Sequence, residues 1–288
     1  MKNAVVTGTS TGIGYETVLF LARKGYRVFA AMRDISKGEK LRDTAIAESL
    51  AIDVVAMDVC DDESVTDCFS GIAEQGPVDV LVNNAGISGV CPLEFTPIEE
   101  HRKIFETNYF GAVRCIQAVA GGMRKRNEGC IVNISSAAGL FAVPTQIPYS
   151  ASKWAVECLS EAVAHELAPF GVRVVSIEPG VVKTHIFENS AEQSHFHKDS
   201  PYVSTMRRIG RIFTAGLKSP LHPQDVAEQI YNSITCETYK FRWPLGADAE
   251  QFYAARTTVQ PASWIELGAS QDEDEFVDTF QKMFGITI

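Results

Sequence analysis

Tyr149 and Lys153 stand four residues apart in "YSASK", at the head of a segment, 149–171, whose spacing predicts a helix. Side chains four apart share a helix face, so the phenol and the ammonium are neighbours. A phenol ordinarily ionises at about pH 10, and an ammonium beside it favours the phenolate and lowers that value. Such a group, drawn toward neutral pH, is suited to give a proton to a carbonyl oxygen or take one from an alcohol. A second stretch, "VVTGTSTGIGYE" at 5–16, runs from apolar residues through Gly8, Ser10, Thr11, Gly12, Ile13 and Gly14 into a helical pattern. A turn alone needs one glycine; three predict that something approaches the backbone closely. Between a strand and a helix N-terminus, small residues admit a phosphate and the helix end favours its charge. The stretch therefore reads as the cradle of a dinucleotide pyrophosphate, although its TGxxxGxG spacing departs from the general GxGxxG fingerprint.

Elements that position these residues follow from the hydrophobic periodicity. Short β-branched runs at 3–8, 26–32, 51–59, 78–86, 129–136, 172–180 and 239–243 alternate with helical patterns at 14–25, 36–49, 61–74, 97–126, 149–171 and 223–234. Strands that are continuous apolar runs separated by helices imply a parallel sheet covered on both faces. The expected fold is α/β: a doubly wound, mostly parallel sheet of about seven strands in a single domain, with its site at the carboxyl ends of the strands.

Composition narrows the function. At 288 residues and 45% hydrophobic the chain buries a sizeable core, and a net charge of −10 with scattered Lys and Arg argues against nucleic acid. The seven cysteines form no CxxC pair and no metal-ligand pattern with the six histidines, so neither a metal nor a disulfide framework is expected. "MKN" leads straight into the first strand, so no signal peptide is expected. No apolar run approaches the roughly 20 residues that span a bilayer. A cytoplasmic protein is the expectation.

The motifs "TGTSTGIG" (7–14), "MDV" (57–59), "NNAG" (83–86), "TNYFG" (107–111), "NISS" (133–136), "YSASK" (149–153) and "PGVVKT" (179–184) occur together in this order. Over residues 3–247 the sequence resembles the short-chain dehydrogenase/reductase family, which has a Rossmann-type fold. Through "VFAAMRD" and "WPLGADA" it is most similar to the 17β-hydroxysteroid and retinol dehydrogenase-like members. The resemblance implies a catalytic set of Asn108, Ser136, Tyr149 and Lys153. In it Ser136, rather than Ser135, holds the substrate oxygen, and Asn108 bends its helix and relays protons through a water to the lysine. It implies that Asn84, Ala85 and Gly86 admit the adenosine ribose, with a structural share for Asn83 and Asn84. Asp58 and Val59 sit by the adenine; the alternative for Asp58 is the capping of the helix that follows. Pro179, Gly180, Val182 and Thr184 would meet the nicotinamide amide or a phosphate, and Lys153 the ribose.

The cofactor is expected to be NADP(H). NAD enzymes of this fold carry an acid at the end of the second strand, where this chain has Met32 followed by Arg33, a side chain suited to a 2′-phosphate. Asp34, one residue on, leaves NAD(H) possible. The substrate is expected to be a hydrophobic carbonyl or alcohol. A lid over 184–220 carries Tyr202, Met206, Ile209, Phe213 and Leu217 at helical spacing, preceded by Ile186, Phe187 and Phe196. His185, His195 and His197 read as surface or lid residues. The extension over 248–288 is expected to pack over the site or against a second subunit. The resemblance implies a homodimer or homotetramer through the helices at 98–126 and 149–170. A non-catalytic nucleotide-binding regulator is disfavoured by the intact set of four. The larger sugar-nucleotide epimerases are disfavoured because about 40 residues after 248 leave no room for their substrate domain.

Overall fold

The computed structural model describes residues 1–184 and 199–288. Seven parallel strands form one sheet: β1 (Asn3–Thr7), β2 (Arg27–Met32), β3 (Ile52–Ala56), β4 (Val80–Asn83), β5 (Gly129–Ile134), β6 (Val172–Pro179) and β7 (Arg242–Leu245), in the order β3-β2-β1-β4-β5-β6-β7. The order reverses between β1 and β4, which opens a crevice above their carboxyl ends.

Alternate strand residues point to opposite faces, and each face has its own core. Ala4, Val6, Val80 and Val82 pack with Val18 and Leu21 of α1 (Gly12–Arg23), Leu41 of α2 (Glu39–Glu48) and helix residues Val226 and Ile230. Val5 and Leu81 pack on the other side with Phe69 of α3 (Asp62–Ala73) and with Ile116 and Met123 from the long helical region before β5. This two-sided burial is why the strands read as unbroken apolar runs.

That long helical region is not one helix. The expected span 97–126 divides into α4 (Ile98–Phe105), a π-helical turn at Glu106–Phe110, and α5 (Gly111–Arg126). The segment expected as helix over 149–171 is α6 (Ile147–Leu167), followed by a short 3-10 turn to Phe170. The seventh strand begins at Arg242 rather than at residue 239. Before it, the chain is tied down by side chains: the Tyr239 hydroxyl donates to Val174 O and the Trp243 indole to Lys240 O. Beyond β6 come α7 (Val203–Gly216) and α8 (Pro223–Thr235), then three helices that the sequence pattern leaves undivided: α9 (Ala247–Thr258), α10 (Pro261–Ala269) and α11 (Glu273–Phe284). They enclose an aromatic cluster of Phe252, Trp264, Phe276, Phe280 and Phe284, which Phe141 joins from the turn after β5. Ile186, Phe187, Phe196, His185, His195 and His197 lie outside the described residues.

Candidate active site

A cavity of about 1270 Å³ lies above the carboxyl ends of the strands, where the topology reverses. Its floor is the glycine loop between β1 and α1. Gly8 has φ +69°, and a Cβ there would come within 2.8 Å of Ala85 Cα; a Cβ on Gly14 would run into Gly8 O and the Asn84 amide. What comes close to these two glycines is the chain itself, the "NNAG" segment after β4. Asn84 Nδ2 donates to Thr7 O and Gly8 O, and Thr7 Oγ1 accepts from the backbone N–H groups of Asn84 and Ala85. The sequence-based reason for the glycines is thus corrected in part. Gly14 serves packing of the loop on the segment after β4, Gly8 does so while also lining the cavity, and Gly12 opens α1 and lines the cavity, facing Thr184. The Asn84 side chain braces the loop, and Asn83 binds Asn133 on the next strand.

Ser10, Thr11 and Ile13 line the cavity beside Gly12, at the start of a 12-residue helix with no side-chain cap. Such a helix end presents unpaired N–H groups and a positive dipole to whatever fills the space. Arg33, exposed at the end of β2, lines the same end of the cavity. Asp34 is turned into its own backbone: Oδ1 accepts from Ser36 N at 3.0 Å and Ser36 Oγ at 2.6 Å, and these bonds hold its carboxyl below the ordinary range. Asp58 also lines the cavity, with Oδ1 accepting from Cys60 N; the cap of α3 is Asp61, which accepts from Ser64 N. Val59, Ala85, Gly86, Pro179, Gly180, Val182 and Thr184 are all on the cavity wall.

Ser136, Tyr149 and Lys153 meet on the opposite wall. Ser136 follows β5 and caps a short 3-10 turn, its Oγ accepting from Ala138 N at 3.1 Å. Its neighbour Ser135 is buried under Gly139, and among the described residues its hydroxyl has no partner. Lys153 is 6% exposed, and its Nζ donates to Ile134 O at 2.8 Å. Loss of water pushes that ammonium down to about 8, with the Glu157 charge opposing the fall. The same nitrogen sits 5.7 Å from the centre of the Tyr149 ring. The expected lowering of the Tyr149 pKa by Lys153 is not what the geometry gives. Burial holds the phenol above its ordinary value, and a hydrogen bond with Ser136 pulls the other way.

Asn108 occupies the π turn. Its Oδ1 accepts from Ile87 N at 2.8 Å, and its Nδ2 donates to Ile87 O at 2.9 Å and Ser152 Oγ at 3.0 Å. These bonds tie the chain beyond β4 to α6; none of them runs to Lys153. The turn is a local register change in the helix, of the kind that recurs at functional sites.

The far end of the cavity is apolar: Phe141, Val143, Ile212, Phe213, Phe252 and Ile286. Of the expected lid stripe only Phe213 reaches it. Ile209 is buried, while Tyr202 turns its hydroxyl to Glu94 and Leu217 is half exposed. The helix is rotated by its anchor Arg208, buried over the Phe276 ring and bonded to Glu273 and Ser270 O. Sequence reasoning missed Asp248, whose Oδ2 accepts from Val181 N at 2.8 Å and so holds the loop after β6. It lay inside the quoted "WPLGADA" stretch. Gly285, Ile286 and Thr287 also line the cavity, and nothing local in the sequence marks them.

Known proteins share the sequence pattern and the fold. The family model described as short chain dehydrogenase matches residues 2–195. The chain is 38% identical to retinol dehydrogenase 8 of Homo sapiens over 278 residues, covering 90% of this chain and 85% of that one. Among solved structures it resembles a short-chain dehydrogenase from Streptomyces avermitilis at a TM-score of 0.80 and 32% identity, covering 93% and 96% of the two chains. It also resembles a variant of actinorhodin polyketide ketoreductase, solved with NADPH, at a TM-score of 0.74 and 32% identity, covering 84% and 94%. The family match over residues 2–195 and the identity to retinol dehydrogenase 8 across nine-tenths of this chain show that it belongs to the short-chain dehydrogenase family and is an oxidoreductase.

Proposed function

We propose that the protein interconverts a carbonyl and an alcohol on a hydrophobic small molecule, using NADP(H). The observation that carries the reading is a continuous cavity in which the glycine loop and Arg33 at one end adjoin Ser136, Tyr149 and Lys153, which in turn adjoin an apolar wall. The residues fit the dinucleotide. Gly12 and the uncapped start of α1 suit a pyrophosphate, and the exposed Arg33 guanidinium suits a 2′-phosphate. Asp34 does not line the cavity, and its Oδ1 is engaged by the backbone N–H and hydroxyl of Ser36. The ketoreductase of similar structure was solved with NADPH.

The glycine loop, Arg33 and Lys153 would hold the dinucleotide, whose nicotinamide would supply or accept the hydride exchanged with the carbon bearing the substrate oxygen. The protein's part is to hold that oxygen and to move one proton. Ser136 Oγ fixes the oxygen, and the Tyr149 hydroxyl gives or takes the proton. Burial keeps Tyr149 protonated at neutral pH, the form that donates to a carbonyl. Lys153, anchored on Ile134 O, would hold the cofactor's ribose and keeps its ammonium beside the Tyr149 ring. Asn108 keeps α6 in register with the β4 crossover through Ser152 and Ile87. The described part of the lid, 199–220, and the last helices close the apolar end.

Tyr149→Phe tests the reading. It is expected to lower turnover of hydrophobic ketones with NADPH by about three orders of magnitude or more while cofactor affinity stays unchanged. A variant that turns over at a near-normal rate refutes the mechanism.

A further inference from the structure

The face of α6 that carries Tyr149 and Lys153 continues with Glu157 and Glu161 at the same four-residue step, so ionisable side chains run in a line from the cavity to solvent. Glu157, one turn beyond Lys153, is buried. From β6 the Ser176 hydroxyl donates to its Oε1 at 2.7 Å, and from β7 Arg242 binds its Oε2. From the turn after β5 it is met by the uncharged Gly139. The same Arg242 Nη1 reaches Glu178 Oε1 of β6 at 3.1 Å, and Nη2 reaches the exposed Glu161 at 3.1 Å.

Two buried carboxyl groups therefore converge on one guanidinium nitrogen. Glu178 has no exposed surface, and among the described residues no donor pairs with its buried Oε2. Two ionised carboxylates cannot share such a site cheaply, and one proton held between them resolves the conflict. The partnerless Oε2 of Glu178 is the atom suited to carry it. There it turns an orphaned acceptor into a donor toward Glu157. Burial and the Glu157 charge push Glu178 up to about 8, in line with that placement.

We propose that Glu157 is a positioning residue of the active site: with Glu178 holding the proton and Arg242 fixing both, it keeps one negative charge a helical turn behind Lys153 and sets the pH at which that lysine is charged. The proposal rests on the reading of Lys153 as the partner of Tyr149. A carboxylate that served only to bind Arg242 would not move the titration of Lys153, so that titration is the readout.

The experiment is an NMR titration of side-chain-labelled lysines in the cofactor-free protein, with the Lys153 signal assigned by its loss in Lys153→Met. In the wild type it is expected to titrate at about 8. Glu157→Gln is expected to move it down by about one unit or more, as loss of an adjacent opposite charge does. Glu157→Asp keeps the charge but withdraws it, and is expected to give a smaller fall; it serves as the reading should the glutamine variant not fold. Glu178→Gln, which mimics the protonated acid, is expected to leave Lys153 in place. An unmoved Lys153 in both Glu157 variants overturns the proposal, and so does an equal fall in Glu178→Gln, which would put the charge on the other carboxyl. Because no cofactor or substrate is present, either failure leaves the oxidoreductase reading standing. Failure of NADPH to bind would strike that reading alone.

Discussion

Replacing Arg33 tests the choice of cofactor most directly. The side chain lies exposed on the cavity wall at the end of β2, and among the described residues it makes no ion pair and no side-chain hydrogen bond that its loss would break. Its removal should act on the ligand and leave the fold intact. A hydrogen bond to a charged partner contributes about 1.5–3 kcal/mol, and the exposed setting places Arg33 near the lower half of that range. At about 2 kcal/mol, Arg33→Ala weakens NADPH binding about 30-fold and leaves NADH unchanged. Arg33→Asp adds repulsion. One unit pair at about 5 Å in water costs about 0.8 kcal/mol, and a phosphate carrying nearly two charges about doubles it. The total of about 3.5 kcal/mol corresponds to roughly 300-fold, and it should shrink as salt is added because the repulsive part is screened. The assay is a fluorescence titration of the purified protein with NADPH and with NADH at two ionic strengths. Asp34→Ala is the control: it removes the cap on Ser36 and is expected to leave the NADPH-to-NADH ratio alone. A ratio that stays within about threefold in both Arg33 variants, or a loss of NADH binding in Asp34→Ala, refutes the phosphate clamp and returns the ribose to Asp34.

Two further outcomes follow from burial. Lys153 titrates at about 8 in the fold against 10.5 free, so below about pH 8 it is charged in both states and its burial penalty is complete. Between those values the unfolded chain holds more protons, and stability rises with pH. Lys153→Met removes a penalty of about 3 kcal/mol and orphans Ile134 O at a cost of about 1–2 kcal/mol. A higher urea midpoint at pH 7, fading above about pH 10, is expected alongside lost turnover; a lower midpoint at pH 7 contradicts the sign. Phe284→Ala opens the aromatic cluster behind the apolar wall, where Phe284 packs 4.8 Å from Phe141 and 4.7 Å from Phe280. It should cost about 3–5 kcal/mol by calorimetry and raise KM for bulky apolar substrates without changing NADPH affinity, and an unchanged KM would detach the C-terminal helices from the substrate.

How much of this was legible in the sequence depends on whether the signal was local. The strands of the sheet read as apolar runs because both faces are covered, and the strand–glycine–helix order located the cavity floor. The π turn left no trace in the periodicity, because Phe105, Tyr109 and Ala112 keep a helical rhythm straight through it; only the resemblance, with an Asn108 that bends its helix, pointed to the spot. The lid stripe was misjudged for the opposite reason. Its periodicity is real, but the helix is rotated by Arg208, whose partners Glu273 and Ser270 lie more than sixty residues on.

The acid pair behind Lys153 shows where pattern gives out and chemistry takes over. Glu178 interrupts an apolar strand, "VRVVSIEPG", and a carboxyl in such a run must find a partner or a proton. The sequence therefore poses the question, but it does not supply the answer. Ser176 is two residues away, Glu157 belongs to the preceding helix, and Arg242 arrives from a strand sixty-four residues later. Only the parallel pairing of β6 with β7, Ser176 beside Arg242, brings the guanidinium between the two acids. Once there, it can pair with one carboxylate and not two, so in the proposed arrangement Glu178 holds a proton and the one remaining charge sits on Glu157, a helical turn from the lysine on which the proposed chemistry turns. A buried acid near an active site thus has two electrostatic roles to be separated, fixing the arginine and biasing the lysine. The Glu157 and Glu178 variants separate them, because one removes a charge and the other removes only a proton's seat.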